Sequence, residues 1–193
     1  MLLKISFMEK IIEKQIPKFY NRPNELIRAT YGKQYWISRA PAVVAVVLVI
    51  WKDNIFVLAE QRSEKMDNPG KWCCPCGYLD WDETGYQAVI REIYEEAGIF
   101  IPDYVLNLIT NNEEQPFFVQ THPSENRQNV ALTYCIILDC EKLGLPEFNK
   151  DDGEVTNIGW IPIEQVFNKK YEWAFNHDER IQMAVEKFKS YLI

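Results

Sequence analysis

The chain has 193 residues, with 21 Lys and Arg against 28 Asp and Glu, a formal net charge of −7, and 47% hydrophobic residues. That length suits one domain, or one domain with a terminal extension, and the composition is globular, not disordered. The acidic balance excludes a coat for nucleic-acid backbone and a polybasic membrane anchor, so any anionic ligand must be attracted by something other than net charge.

Along the chain, Leu2, Ile5, Met8, Ile12 and Ile16 share one face, which predicts an amphipathic helix ending before Pro17. Turn signals from Asn21 to Gly32 surround a short helical piece over Glu25–Ala29. The apolar run Ala42–Trp51 has ten residues, whereas a bilayer-spanning helix needs roughly 20. It is therefore expected to be a buried strand, forming a hairpin with Ile55–Glu60. Residues 62–71 read as a polar loop. Thr84–Ala97 is the clearest helix, with a Thr84/Gln87 capping box and Gly98 as its stop. Val130–Asp139 is another strand, with shorter strands expected within Pro116–Gln120 and Asn157–Ile161. A helix over Glu172–Leu192 closes the chain, its apolar face including Ile181, Val185, Phe188 and Leu192. Strands and helices alternate irregularly, which predicts one α/β (α+β) domain. The division expected is an N-terminal helical extension over 1–37 and a main domain over 38–193.

The first residues show no long apolar stretch before a small-residue cleavage site, so no secretory signal is expected. Five cysteines are an odd number, and Cys73, Cys74 and Cys76 crowd into four positions. That usage fits a reducing cytoplasm better than a disulfide framework. Cys73-x-x-Cys76 has no second CxxC to complete a zinc site, so small buried apolar roles are expected for the cysteines. His122 and His177 have no partner pattern and are expected at the surface.

The Thr84 helix carries an electrostatic anomaly. Tyr86, Val89, Ile90, Ile93 and Ala97 form its apolar face, while Glu92, Glu95 and Glu96 cluster away from it at i, i+3 and i+4. Like charges at that spacing cost roughly 0.2–0.5 kcal/mol per pair. Near a helix C-terminus the dipole disfavours each anion by roughly 0.3–1 kcal/mol more. Arg91 relieves part of this through Glu95; an external cation is the natural remedy for the rest. Hard carboxylate oxygens select Mg²⁺ or Mn²⁺.

The surrounding spacing is specific. Gly77, five residues, Glu83, seven residues, then Arg91-Glu92-Ile93-Tyr94-Glu95-Glu96-Ala97-Gly98-Ile99 resembles the signature of the Nudix hydrolase family at all of its fixed and apolar positions. Chance agreement over the chain has odds on the order of one in a million. The resemblance extends through Gln61-Arg62, Gly70-Lys71-Trp72 and Trp160-Ile161-Pro162, covering roughly residues 38–168. It implies an α/β/α sandwich with a mixed central sheet and hydrolysis of a nucleoside diphosphate joined to another group. Water attacks one phosphorus with the help of Mg²⁺ or Mn²⁺.

Carried over residue by residue, the resemblance makes Glu92, Glu95 and Glu96 metal ligands, with the backbone carbonyl of Cys76. Glu83 assists them, and Arg91 holds the glutamates by charge-assisted hydrogen bonds. Asp151, Asp152 and Glu154 are the candidates for a general base, Glu154 foremost. Arg62 suits a phosphate contact, and Tyr35 and Trp36 suit stacking on a base. Family members usually have Gly where this chain has Cys76. A relative of the same fold, isopentenyl-diphosphate isomerase, carries a catalytic Cys there, so an isomerase-like enzyme is an alternative. A non-catalytic ligand sensor is another. The stretch Glu114-Gln115-Pro116-Phe117-Phe118 is similar to elements of members acting on ADP-ribose or reduced dinucleotides. ADP-ribose, nucleotide-sugar or dinucleotide substrates are therefore favoured, with (d)NTP sanitation as the competing subclass. Residues 1–37 are read either as a homodimer interface, as in several Nudix pyrophosphatases, or as a helix packed on its own core. No nucleic-acid polymer and no membrane is expected as a partner.

Overall fold

The computed structural model of the chain describes residues 25–110, 115–122, 128–149 and 154–192. The helix expected over 1–20 lies outside these residues, as do Asp151 and Asp152. The chain divides into two compact units, Met1–Ser38 and Arg39–Ile193.

In the first unit the helical reading of Glu25–Ala29 is corrected. Strand β1 (Glu25–Arg28) pairs antiparallel with β2 (Gln34–Ile37), Glu25 lying opposite Ile37. The turn between them is closed by the Gly32 amide donating to the Ala29 carbonyl at 2.9 Å, with Gly32 at φ +86°. A five-residue helix is marginal on its own, whereas glycine takes this left-handed turn without strain.

The second unit is built on β3 (Pro41–Trp51), whose residues 43–49 are almost wholly buried. It forms a hairpin with β4 (Asn54–Arg62) through Lys52 and Asp53, at φ +50° and +55°. Positive φ at both central residues matches the right-handed strand twist. On its other side β3 runs parallel to β9 (Val130–Asp139) over the full length of that strand. Short strands β5 (Trp72–Cys73) and β6 (Cys76–Tyr78) pair with β4 and β3. Strands β7 (Leu108–Thr110) and β8 (Phe118–Gln120) pair with β9, and β10 (Val155–Pro162) pairs with β4. The sheet is mixed, in the order β10-β4-β3-β9-β7.

Both faces of this sheet are covered, which explains an apolar run that does not alternate. Val43, Ala45, Val47 and Val49 pack under helix α1 (Gly85–Ala97), against Ala88, Val89 and Ile93. Val44, Val46 and Leu48 face α2 (Ile163–Phe167) and α3 (His177–Lys187), against Val166, Ile181 and Ala184. This is the α/β/α arrangement expected. The closing helix, however, starts at His177, not at Glu172. Trp72 and residues 172–174 exchange backbone hydrogen bonds, Trp72 N to Glu172 O and Ala174 N to Trp72 O, both 2.8 Å. That pairing holds the segment extended, and Phe175 and Asn176 at φ +56° and +54° turn it into the helix. All five cysteines are free thiols, four of them buried. No helix among the described residues is long and apolar enough to cross a membrane.

Candidate functional site

Helix α1 is fixed at both ends by the residues expected. The Thr84 side chain accepts from the Gln87 amide, the Gln87 side chain accepts from the Thr84 amide, and Gly98 closes the helix at φ +72°. A Cβ at Gly98 would press on the backbone of Asn149, so the position requires glycine for both φ and space. With its ends set, the helix presents Arg91 to three glutamates. Arg91 Nε and Nη2 donate to Glu83 at 3.1 and 2.6 Å, and Nη1 donates to Glu92 at 2.6 Å and Glu95 at 3.0 Å. Nη2 also donates to the Tyr78 carbonyl at 3.0 Å, tying α1 to β6. The resulting hydrogen bonds from Arg91 hold the Glu83 carboxyl below the usual carboxylate range.

Glu92 and Glu96 behave in the opposite sense. Glu92 is 7% exposed, flanking the buried face of α1 instead of a solvated one, and burial raises its pKa. Its carboxylate lies so close to Gly77 that a Cβ there would collide with it. Glu96 accepts the Cys76 amide proton at 2.9 Å, the one contact that tends to keep it charged. Burial first, then repulsion from Glu60, Cys76 and Glu92, raises its pKa well above the ordinary value. The site thus holds more carboxyl groups than Arg91 can pair, and burial disfavours their charge in the absence of a further cation. As they stand, no three acidic, His or Cys side chains among the described residues converge on one point. Arg91 draws Glu92 and Glu95 to itself, while Glu96 is turned to the Cys76 amide.

Glu60 was not expected at the site. It is 2% exposed on β4, accepts the Cys73 thiol at 3.4 Å and acts on Glu96 through its charge. Its signal in the sequence is a carboxylate at the end of an otherwise apolar strand, two positions from Arg62 and hence on the same face.

Glu92, Glu96, Cys76 and Gly77 line a cavity of about 390 Å³ together with Arg62, Glu154, His177 and Arg180. Arg62 is 7% exposed and already engaged: Nε donates to the Asp67 carbonyl at 2.6 Å, Nη2 pairs with the Asp67 carboxylate, and Nη1 points at the Cys73 sulfur at 3.8 Å. Glu154 sits on the exposed rim, its carbonyl accepting the Ser63 amide proton at 2.9 Å. The surface reading of His177 is corrected. It is 1% exposed, and its Nδ1 accepts the Cys74 amide proton at 3.0 Å, which leaves the ring proton on Nε2. Both it and Arg180 point inward because the first turn of α3 lies against the sheet. His122 is exposed and borders the cavity. Tyr35 and Trp36 lie on β2 in the other compact unit, where the Tyr35 hydroxyl shares a 2.7 Å hydrogen bond with that of Tyr31.

A family model for the NUDIX domain matches residues 40–183. A peroxisomal coenzyme A diphosphatase of Caenorhabditis elegans is 31% identical over 156 residues, covering 76% of this chain and 60% of that protein. An ADP-ribose pyrophosphatase of Methanocaldococcus jannaschii is 38% identical over 77 residues, covering 39% of this chain and 43% of that protein. Among solved structures, a bifunctional NMN adenylyltransferase/ADP-ribose pyrophosphatase of Francisella tularensis, complexed with AMP and a Mn ion, has a TM-score of 0.60 at 20% identity. It covers 95% of this chain and 46% of that one. The chain spans about half the length of the first curated relatives it matches, at 49%, 60% and 54%.

Proposed function

The chain belongs to the NUDIX domain family, and from that premise we propose that it is a metal-dependent pyrophosphohydrolase acting on a nucleoside diphosphate joined to another group. The observation that carries this reading is the surplus of carboxylates around Gly77. Glu92 is buried and Glu96 half-buried, both with raised pKa values, beside an arginine that holds only part of the set. Oxygen donors in that number suit a hard divalent cation. Glu92, Glu95 and Glu96, with the Cys76 carbonyl, would hold it. When bound, Mg²⁺ or Mn²⁺ neutralises charge on the diphosphate and activates water.

The chain's own groups do the rest. Arg91 keeps Glu83, Glu92 and Glu95 in one orientation, and Glu96 fixes β6 against α1 through the Cys76 amide. Glu154 is the general base of this reading, accepting the proton of the attacking water; its position on the rim of the cavity that Glu92 and Glu96 line supports the choice. Arg62 shapes the wall more than it binds phosphate, since Asp67 and Cys73 take its nitrogens. Tyr35 and Trp36 remain the proposal for stacking on the base, and the 1–37 segment for pairing two copies; a cytoplasmic location is proposed with them.

The substrate class rests on the relatives' names. An ADP-ribose pyrophosphatase and a coenzyme A diphosphatase both cleave a diphosphate inside a larger nucleotide derivative. That favours ADP-ribose, nucleotide sugars, dinucleotides and coenzyme A over (d)NTPs. The test is a panel of these compounds with Mg²⁺ and with excess EDTA, read by chromatography of the products. A nucleoside monophosphate appearing with Mg²⁺ alone supports the reading; turnover that survives EDTA sinks it. Cys76→Ala separates the isomerase alternative, because the hydrolase needs the Cys76 carbonyl and not its thiol.

A further inference from the structure

The wall of the cavity formed by α3 is occupied by none of the roles above, and two of its features converge. Arg180 is 6% exposed, and its Nη1 is buried without a hydrogen-bond acceptor among the described residues. No carboxylate among the described residues lies within ion-pair distance of it; its guanidinium rests over the Phe118 ring at 5.9 Å. A buried guanidinium normally has its donors filled. Arg62, in the same cavity, shows the ordinary case, with Asp67 and Cys73 engaged by its nitrogens.

The second feature is the start of α3 itself. The helix has 11 residues, and its N-cap residue Asn176 makes no side-chain capping bond. Phe175, Asn176 and His177 border the cavity, so the positive end of the helix opens toward it. Asp178 and Glu179 lie in that first turn, with Glu179 exposed. Glu179 acts on Arg180 through its charge but forms no ion pair with it, and a buried guanidinium with an unfilled donor beside a helix N-terminus is a receptor for an anion.

We propose that Arg180 and the N-terminus of α3 form an anion site that receives a phosphate of the substrate's diphosphate. This rests on the hydrolase reading for the identity of the ligand, but not for the existence of the site. Arg180 supplies a fork of two donors that matches two phosphate oxygens, and the start of the helix adds the positive end of its dipole, the His177 amide itself being taken by the Ala174 carbonyl at 3.1 Å. The cavity then holds a cation at its Glu92–Glu96 wall and an anion at its α3 wall, as a metal–diphosphate substrate requires. Arg180 acts in binding and orientation, and its loss falls on KM more than on kcat.

The experiment is calorimetric titration of inorganic pyrophosphate and of ADP into the full chain in EDTA, comparing wild type, Arg180→Met and Arg180→Lys, each with a melting curve. Wild type is expected to bind both probes, and Arg180→Met at least tenfold more weakly. Arg180→Lys, which keeps the charge and loses the fork, falls between them and guards against a variant that fails to fold. Without ligand, Arg180→Met is expected to melt no lower than wild type, since an unpartnered buried charge is removed. The proposal is overturned by equal binding in wild type and Arg180→Met, by no binding of either probe to wild type at millimolar concentration, or by a lower melting point of Arg180→Met with binding intact. A chain that binds pyrophosphate through Arg180 and hydrolyses nothing in the panel with Mg²⁺ overturns the hydrolase reading alone.

Discussion

Arg91 on α1 and Arg180 on α3 are handled in contrary ways. Arg91 makes five hydrogen bonds, four of them to the carboxylates of Glu83, Glu92 and Glu95. Arg180 is more deeply buried, yet its Nη1 has no acceptor among the described residues. The α1 region settles most of its charge within the chain and is left with a negative surplus at Glu92 and Glu96. The α3 region leaves a positive charge unspent. Neither arrangement serves stability, and incompletely paired groups persist where a ligand completes them. The pair of opposite surpluses around one cavity suits a ligand that brings both signs.

The largest effect should come from breaking the α1 side. Glu95→Gln and Glu96→Gln each are expected to reduce kcat by at least about a hundredfold, because several kcal/mol of charge stabilisation are lost. Steady-state rates on whichever panel compound is cleaved check this, and a change below about threefold would break the assignment. Arg91→Lys is next. A lysine cannot reach three carboxylates with a fork, and loss of an orienting partner costs roughly 10–100-fold in activity or metal affinity. Both kcat and the Mg²⁺ concentration for half-activity should worsen, whereas a change in KM alone would move Arg91 to the substrate side of the comparison.

The same surplus predicts a gain. Burial raises the folded pKa of Glu96 well above the ordinary carboxylate value, so the folded chain holds this proton more tightly than the unfolded one. Its contribution to stability is full below about 4.5 and is lost as pH rises through the raised value. Glu96→Gln should therefore raise the melting point in EDTA at pH 7.5, and the gap should shrink toward pH 5. A melting point lowered at pH 7.5 would mean that the Cys76 amide contact outweighs the burial. The smallest effect belongs to a residue outside the chemistry. Thr84→Ala removes a helix cap, at a cost of about 1 kcal/mol. It should lower the melting point by roughly 2–4 °C with KM unaltered; a shifted KM would show that the cap sets the position of the glutamates.

What could be read in advance follows from the range of the interactions involved. Helix α1 was legible to the residue because its cap, its stop and its spacing are local, and so was the tie between Arg91 and Glu95. Strands β3 and β9 were legible from their β-branched runs, whereas the sandwich was legible only through the family resemblance carried by the Gly77–Ile99 spacing. The failures are places where distant pairing wins. The start of α3 was misplaced because Glu172 and Ala174 are held extended by Trp72, about a hundred positions earlier. His177 was misread for a related reason: Cys74 donates to it across the fold. Glu60 and Arg180 are single charged residues in apolar surroundings, and only the packing shows that one presses on Glu96 and the other lacks an acceptor. Glu25–Ala29 was misread because a two-stranded hairpin depends on a turn at Gly32 that outweighs a weak local helical preference.

The claim on which the rest depends is that the carboxylates of α1 form a divalent-metal site. Mn²⁺ binding to the substrate-free chain, followed by electron paramagnetic resonance in wild type, Glu95→Gln and Glu96→Gln, measures it without any assumption about substrate. The account predicts saturable Mn²⁺ binding in wild type that weakens at least tenfold in each variant. Equal affinity in all three proteins, or no saturable binding in wild type, would contradict it.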